Sequence, residues 1–283
     1  MDRNAPTLLA GGYRNEVWRV PRGRGSVVEK RYSDDSVEPN SMFPNLPDHE
    51  AMALSFLAGT RCAPELVSYR PADADAGALV VYRFVVGAPW TRGVADVARL
   101  LHRVHHLDPP LGMRGLHRSA AAAMEHADEL VAGVASQRER ARLESVRPGG
   151  ASNEPCDALS LVHTDCGPGN LIRAPHGLML IDWQCPGVGD AVEDIACFLS
   201  PAIMSLYGRP AHSARSTEVF LDAYADPMVV ARYRRDGAAW HYRIAAYCSW
   251  RVGRLERRQP DVAERYRAAL ADELELLAAW RNR

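Results

Sequence analysis

The sequence predicts an α+β fold with two lobes, a small β-rich lobe followed by a larger and mainly helical lobe. In the first ninety residues, short segments with strand-like alternation surround a single helical segment. From residue 94 onward helical spacing dominates, apart from strand-like runs within residues 161–183. The connection VVGAPW (85–90) joins the two patterns, so we expect the lobes at residues 1–86 and 87–283. Ligands usually bind in clefts between lobes, and a site is expected there.

The N-terminal lobe is expected to hold several strands and one helix. The segments TLLAGG and NEVWRV flank a turn that contains glycine. SVVEKRY contains β-branched residues and has the alternation typical of a strand. LPDHEAMALSFLAG has helical spacing and ends at a glycine, as helices often do. APELVSYR and GALVVYRFVV predict two further strands, separated by the polar turn PADADAG.

The C-terminal lobe is expected to be built mainly from helices. VADVARLLHRVHHL is amphipathic, and residues 119–146 form a long Ala-, Glu- and Arg-rich stretch that predicts helix. RPGGASNEP then interrupts the chain at residues 147–155. After residue 190 the pattern is helical almost to the end, with breaks near YGRPAHSA and around Pro260.

Composition and charge narrow the class of protein. The chain has 283 residues, 47% of them apolar and 24% charged, which is typical of a soluble globular protein. Its formal net charge of -1 lacks the basic excess of most nucleic-acid binders. The N-terminus lacks the apolar region of a signal peptide, and apolar runs stay below the roughly 20 residues of a membrane span. We expect a cytoplasmic protein without nucleic-acid or membrane partners, and the sequence leaves its oligomeric state open.

Polar side chains at a recurring spacing lie in the segment LVHTDCGPGNLIRAPHGLMLIDW (161–183). His163 and Asp165 follow one strand-like run, Asn170 comes five residues after Asp165, and Asp182 follows a second run. Oxygen ligands of this kind suit Mg²⁺, and one carboxylate can remain free to accept a proton. Phosphoryl transfer needs both roles, and protein kinases place an Asp and an Asn in one loop with a metal-binding Asp downstream.

The N-terminal lobe offers the other parts that a kinase-like site needs. Lys30 is the single lysine among 34 basic residues and lies in the strand-like VVEKRY. A compact ammonium group suits phosphate oxygens, and Glu50 in the predicted helix is a suitable ion-pair partner. Gly11 and Gly12 lie between two strand-like runs, where a turn over phosphates is expected. The GxxxxGKS/T motif does not occur, which excludes a P-loop nucleotide-binding protein.

The sequence resembles the aminoglycoside phosphotransferase/choline kinase superfamily, the small-molecule kinases with a protein-kinase-like fold. The resemblance covers nearly the whole chain and is carried by LVHTDCGPGNLI, LMLIDWQCPGVGDAVEDIACFL, LLAGGYRNEVWRV and VEKRY. It implies a two-lobed kinase-like fold that uses ATP and Mg²⁺. Asp182-Trp183-Gln184 stands where protein kinases have D-F-G, and no A-P-E element follows it, so a protein substrate is not expected.

The resemblance also implies a role for each matching residue. Asp165 would be the catalytic base, and Asn170 and Asp182 would hold Mg²⁺. The turn at Gly11 and Gly12 would cover the ATP phosphates, and Lys30 would contact them while Glu50 orients it. The hinge that binds adenine through its backbone would contain Phe84 and Val86. His163, Asp190 and Asp194 would support the catalytic loop.

The acceptor is expected to bind among the helices after residue 195. Trp240, Tyr247 and Trp250 share one predicted helix face, and aromatic cages bind quaternary ammonium groups. Arg243 and Arg254 fall near that face and weigh against a cationic ligand, so core packing is the other interpretation of the rings. Glu193, together with Asp222 and Asp226, supplies carboxylates for contact with a polyamine, and solvated acids on a helix surface are the favoured interpretation of the three.

These features favour a phosphotransferase that moves the γ-phosphate of ATP to a hydroxyl of a small metabolite, with a choline-, ethanolamine- or thiamine-like acceptor. The alternative within the fold is an aminoglycoside O-phosphotransferase. A non-catalytic nucleotide-binding regulatory protein is the alternative of another class. Such a protein would be expected to have lost one or more of the five polar residues of a kinase site, but all five are present: Lys30, Glu50, Asp165, Asn170 and Asp182. Hydrolysis of ATP by water is a further alternative.

The histidines and the cysteines raise the question of a metal site or of covalent catalysis. His102, His105 and His106 form an HxxHH pattern on a predicted helix, without a cysteine or carboxylate cluster at ligand spacing. The six cysteines are scattered without a CxxC pair, which indicates reduced thiols and no zinc site. Cys166 follows Asp165, but the loop pattern already accounts for His163, its nearest partner for covalent catalysis. We expect structural roles for the three histidines and reduced thiols without catalytic function for the cysteines.

Overall fold

The computed structural model describes residues 5–9, 15–32 and 40–281. The N-terminal elements are β1 (Thr7–Leu8), β2 (Asn15–Arg22), β3 (Gly25–Tyr32), α1 (Pro47–Phe56), β4 (Leu66–Arg70) and β5 (Leu79–Arg83). The strands form one antiparallel sheet in the order β1-β2-β3-β5-β4. Each element overlaps the segment that predicted it, and β2 and β3 extend beyond theirs by two residues and one residue. Gly11 and Gly12 lie outside the described residues.

The register of β3 determines where its lysine points. Lys30 lies opposite Val80 of β5, in the middle of the sheet. Because side chains alternate along a strand, Val28, Lys30 and Tyr32 share one face, and all three are buried. Helix α1 meets this face and brings Glu50 into contact with Lys30. The sheet therefore buries an amine that must find charged partners.

The C-terminal part is mainly helical. Its helices in the described residues are α2 (Val94–His105), α3 (Ala120–Ala132), α4 (Gln137–Ser145), α5 (Val192–Leu199), α6 (Pro201–Leu206), α7 (Ala214–Tyr224), α8 (Pro227–Leu255) and α9 (Pro260–Arg281). The expectation of one long helix over residues 119–146 is wrong, because α3 stops at Gly133 and Ser136 caps α4. A Cβ at Gly133 would lie 2.9 Å from the ring of Trp250, so the close approach of α8 accounts for glycine at this break.

Two small sheets lie within this helical part. Their strands are β6 (Ala88–Pro89), β7 (Ser160–Val162), β8 (Leu171–Ala174), β9 (Gly177–Leu180) and β10 (Gly187–Gly189). The order of one sheet is β6-β8-β9, and β7 pairs with β10 in the other. Asp165 follows β7 and Asp182 follows β9, so each strand delivers a carboxylate just beyond its end. The pairs made by β6 and β10 are too short to leave a sequence pattern, and the sequence did not predict them.

The prediction of an α+β fold with a β-rich lobe followed by a helical lobe is confirmed. The lobe boundary between residues 86 and 87 stays a prediction. At this point Gly87 lies against β8, and a Cβ there would come within 2.5 Å of the Arg173 carbonyl oxygen. Among residues 5–9, 15–32 and 40–281, the helices are too short or too polar to cross a membrane.

Candidate functional site

A buried amine lies at the centre of the N-terminal half of the site. Lys30 is 2% exposed, and its Nζ lies 3.0 Å from Glu50 Oε2 and also contacts Asp182 Oδ1. Tyr32 donates its hydroxyl to Glu50 from the same sheet face. Burial alone would lower the pKa of Lys30, but the carboxylates of Asp182 and Glu50 outweigh it and raise that pKa. The amine is therefore held in its charged form between the two lobes.

The loop after β7 brings Asp165 and Asn170 together. Asn170, at the end of a short 3₁₀ helix, donates its amide to the backbone oxygen of Asp165 at 2.7 Å and to Oδ2 at 3.2 Å. Burial and the nearby charge of Asp182 raise the pKa of Asp165 to about 7. A carboxylate with that pKa is half-protonated near neutral pH, which is the range that suits a general base.

Asp194 of α5 fixes the shape of the same loop from behind. Its carboxylate accepts the backbone N–H groups of His163 and Thr164, both at 2.8 Å, and contacts His105 Nε2 at 3.0 Å. Burial alone would raise the pKa of Asp194, but these partners lower it. Thr164 has a φ of 69°, which is unfavourable for a β-branched residue. The carboxylate therefore stabilises a backbone turn that the sequence would not adopt by itself.

His163 connects the loop to the strand that carries Asp182. Its Nδ1 accepts the backbone N–H of Asp165 at 3.2 Å, and its Nε2 donates to the carbonyl oxygen of Ile181 at 3.0 Å. The ring also lies 4.6 Å from that of Trp183, edge to face. Burial lowers the pKa of His163, so the neutral tautomer with hydrogen on Nε2 satisfies both bonds.

Asp190, the other acidic residue predicted to support the loop, pairs with the helical lobe. Arg232 donates to both oxygens of Asp190, at 2.8 and 3.0 Å. Asp190 Oδ1 also accepts the backbone N–H of Val192 at 3.0 Å at the start of α5. The bidentate pair fixes α8 to the segment that leads from Asp182 to Asp194.

The three aromatic residues predicted for the acceptor do not meet in one cage. Tyr247 and Trp250 stack with ring centroids 5.9 Å apart, and Tyr247 lies 6.1 Å from Tyr266 of α9. Trp240 instead packs against His117 at 6.1 Å. The guanidinium groups of the helical lobe already lie over these rings: Arg243 over Trp240, Arg251 over Tyr266 and Arg254 over Trp250. Glu193 is buried and paired with Arg243.

Tyr207, just after α6, is a residue of the site that the sequence analysis missed. Its ring lies on the loop that follows Asp165, where a Cβ at Gly169 would fall 2.2 Å from it and one at Gly167 2.6 Å. The charge of Asp165 and burial raise the pKa of Tyr207, yet 41% of the residue is exposed. The two glycines of CGPGN were the available signal, since they leave room for a ring against the loop.

The sequence pattern of the phosphotransferase enzyme family matches residues 6–236 of this chain. The chain belongs to that family. The prediction that the protein is a phosphotransferase is therefore confirmed at the level of the family. A comparison with curated proteins gave no match.

Solved structures resemble this phosphotransferase in fold at low sequence identity. A Ralstonia eutropha protein described as a candidate aminoglycoside phosphotransferase has 15% identity and a TM-score of 0.70, over 97% of this chain and 92% of its own. A choline/ethanolamine kinase family protein from Mesorhizobium loti has 18% identity and a TM-score of 0.63, over 98% and 88%. A spectinomycin phosphotransferase bound to ADP and spectinomycin has 12% identity and a TM-score of 0.60, over 95% and 92%.

The predicted hinge of the phosphotransferase continues from β5. The backbone N–H of Phe84 donates to the Ser26 carbonyl at 3.1 Å, and the Arg19 guanidinium lies 4.3 Å from the Phe84 ring centroid. Val86 is 67% exposed. The N–H of Phe84 is thus already bonded to the neighbouring strand, so adenine would have to use other backbone groups of the hinge.

The histidine and cysteine clusters of the phosphotransferase have structural partners. His105 contacts Asp194 and the Tyr224 hydroxyl, and His106 lies 3.2 Å from Asp226. Burial raises the pKa of the Cys166 thiol, which keeps it protonated. The described part of the chain contains no group of three or more His, Cys, Asp or Glu residues arranged to hold a metal ion. A metal bound by Asn170 and Asp182 would need ligands from its substrate and from water.

Proposed function

We propose that the protein is a small-molecule kinase that transfers the γ-phosphoryl group of ATP, with Mg²⁺, to a hydroxyl group. One observation carries the proposal: the buried Lys30–Glu50 pair, the metal-ligand candidate Asp182 and the Asp165–Asn170 loop converge from both lobes. Each of these side chains supplies one requirement of phosphoryl transfer.

The phosphates of ATP would lie between Lys30 and Asp182. The charged amine offers phosphate oxygens a fixed positive charge, and Glu50 holds it in place. The donor set of Asn170 and Asp182 consists of oxygens, as Mg²⁺ prefers, and the 36% exposed side chain of Asp182 is open to a ligand. Bound Mg²⁺ would offset the charge that develops on the phosphates. The ADP in the spectinomycin phosphotransferase supports a nucleotide in this fold.

The remaining nucleotide contacts follow the family pattern. Gly11 and Gly12 would cover the phosphates, and the hinge around Phe84 and Val86 would hold adenine through backbone groups. The position of Phe84 directly after β5 supports this assignment.

Asp165 would accept the proton of the attacking hydroxyl. Its raised pKa of about 7 supports this role, because the carboxylate is then basic enough to take a proton and still ionised in part at neutral pH. The amide of Asn170 orients the carboxylate by donating to Oδ2. The loop geometry imposed by Asp194 keeps the base in place during transfer.

The acceptor favoured is a choline-, ethanolamine- or thiamine-like alcohol. Tyr207 supports this choice, since an exposed aromatic ring beside the base would contact a cationic or aromatic group of the acceptor. Tyr247 and Trp250 are buried and stack on each other next to Tyr266, so they would support the wall of the site and not contact the acceptor themselves. Trp240 and Glu193 are not assigned to the acceptor site, because Trp240 packs against His117 and Glu193 is paired with Arg243.

An aminoglycoside acceptor is the second candidate. A polyamine would need several carboxylates around the cleft, and two of the three acidic side chains first considered have other partners. Glu193 pairs with Arg243, and Asp226 caps α8 by accepting the N–H groups of Met228 and Val229. The described contacts thus favour the smaller acceptor.

The proposal is tested by measuring ADP release from Mg-ATP with a panel of alcohols, using Asp165→Asn as the blank. The panel holds choline, ethanolamine, thiamine, homoserine, simple sugars and aminoglycosides. We expect one class of small alcohol to raise ADP release well above the blank. Release above the blank that is equal with every alcohol and with none would instead indicate hydrolysis. Release at the level of the blank with Mg-ATP still bound would indicate a non-catalytic nucleotide-binding protein or an acceptor outside the panel, and wild-type protein that binds no Mg-ATP would exclude a kinase.

A further inference from the structure

Three side-chain amides meet where the two lobes touch. Asn15 is the first residue of β2, Asn45 lies just before α1, and Gln184 lies two residues after Asp182. Asn15 Nδ2 donates to Asn45 Oδ1 at 2.9 Å and to Gln184 Oε1 at 3.1 Å. Asn45 Nδ2 donates back to Asn15 Oδ1 at 2.8 Å. We call these three residues the amide cluster.

The amide cluster uses the full donor capacity of its central member. Asn15 is 8% exposed, and both hydrogens of its amide nitrogen have acceptors while its oxygen accepts from Asn45. Buried polar groups that are fully paired favour one arrangement, because any shift leaves a donor without an acceptor. A backbone bond reinforces it, since Leu46 N–H donates to the Gln184 carbonyl at 2.8 Å.

Asp182 has a conformation that needs such support. Its φ of 62° lies in the left-handed region, which is costly for a residue other than glycine. On the side of the helical lobe, Arg114 holds the segment that follows Asp182, because it donates to the carbonyls of Cys185 and Pro186 at 2.7 and 3.0 Å. Gln184 is the link on the other side, towards β2 and α1. Asp182 thus lies directly before a segment held by both lobes.

We propose that the amide cluster is an inter-lobe clasp and that Gln184 is a positioning residue, which holds Asp182 against Lys30 in the orientation that binds Mg-ATP. The inference rests on the proposed role of Asp182 in holding Mg²⁺. Lys30 lies in β3, which pairs with β2 along its whole length. By joining β2 to Gln184, the clasp keeps the amine and the metal ligand in register across the cleft.

The test compares Gln184→Met, which removes the acceptor at similar volume, with Gln184→Glu, which keeps an acceptor oxygen. Gln137→Met on the exposed start of α4 is the matched control. The affinity for a non-hydrolysable ATP analogue is measured with Mg²⁺ and with a chelator. We expect Gln184→Met to weaken binding about fivefold with Mg²⁺ and to leave the metal-free affinity unchanged, with both other variants close to wild type.

A second readout needs no nucleotide. The chain has a single lysine, so protein labelled with ¹³C at the lysine Cε gives one side-chain signal, that of Lys30. We expect this signal to move in Gln184→Met and to stay in place in Gln184→Glu and Gln137→Met. If Gln184→Met does not fold, Asn45→Ala replaces it, because Asn45 is half-buried and belongs to the same network.

The outcomes separate the clasp from the proposed function. An unmoved Lys30 signal in the folded variant overturns the clasp, and so does an equal loss of affinity with and without Mg²⁺, which would mean general loosening of the lobes. Wild-type protein that binds no Mg-ATP overturns the proposed function instead. The Lys30 signal of the nucleotide-free protein still decides whether Gln184 positions Asp182 in that case.

Discussion

The proposed nucleotide half and the proposed acceptor half of the cleft differ in how many specific contacts hold their side chains in place. In the nucleotide half, Lys30, Glu50 and Asp182 come from three elements and contact one another directly. In the acceptor half, Tyr247 and Trp250 stack together while Trp240 packs elsewhere. Buried charges must pair with specific partners, whereas aromatic rings gain free energy from packing in many arrangements. Charged residues therefore identify the position of the first half more reliably than aromatic residues identify that of the second.

The largest effect should come from removing the base. Asp165→Asn keeps the shape of the side chain and its contact with Asn170 but cannot accept a proton, so we expect kcat to fall by about 10³-fold. Mg-ATP affinity should stay within a factor of about two, measured by calorimetry. Glu144→Gln removes a carboxylate from the exposed surface of α4 and is the control, which should keep wild-type kcat. Near-normal turnover by Asp165→Asn would sink the assignment of the base.

Removing the amine should produce the next largest effect. Lys30→Ala leaves Glu50 and Asp182 facing each other without a cation, so we expect kcat/KM for Mg-ATP to fall by about 10²-fold. Lys30→Arg keeps the charge, but its larger planar group does not fit a site that is 2% exposed, so it should recover little. Steady-state kinetics check both variants. Full activity in either one contradicts the proposed phosphate contact.

The pH dependence should show the unusual environment of the base. Only ionised Asp165 accepts a proton, and its pKa is about 7, so kcat/KM should fall about tenfold per pH unit below that value. The folded protein raises this pKa above that of an unfolded Asp, so Asp165 stabilises the fold at acidic pH and loses that contribution as pH rises through 7. Asp165→Asn should therefore unfold at a higher temperature than wild type at pH 8 and not at pH 4. A flat activity profile between pH 5 and pH 8 contradicts this environment.

The residues of the proposed nucleotide half can be singled out in the sequence because they depend on local spacing. The loop from His163 to Asn170 spans a few residues, and Lys30 and Asp182 each lie in or after a short strand that alternation identifies. The break at Gly133 was missed because an Ala-rich stretch favours helix, while contact with Trp250 decides the outcome.

The features that the sequence did not predict depend on distant contacts. The hydrogen bond between Asn15 and Gln184 joins residues 169 positions apart. The ring of Tyr207 covers two glycines of a loop nearly forty residues earlier in the chain. None of these three side chains carries a charge that would single it out, and only tertiary packing brings them to the site.

The smallest expected effect is on the acceptor side, where it distinguishes rings near the base from rings in the core. Tyr207→Ala exposes Gly167 and Gly169 and removes the exposed ring, so we expect the acceptor KM to rise about tenfold with little change in the KM for Mg-ATP. Trp240→Phe keeps a ring beside His117, costs some stability, and should leave both KM values unchanged. The measurement is a pair of KM determinations for each variant that remains folded by thermal unfolding. If Trp240→Phe raises the acceptor KM and Tyr207→Ala does not, the acceptor lies deeper along α8, and the aromatic face first predicted from the sequence is the binding surface after all.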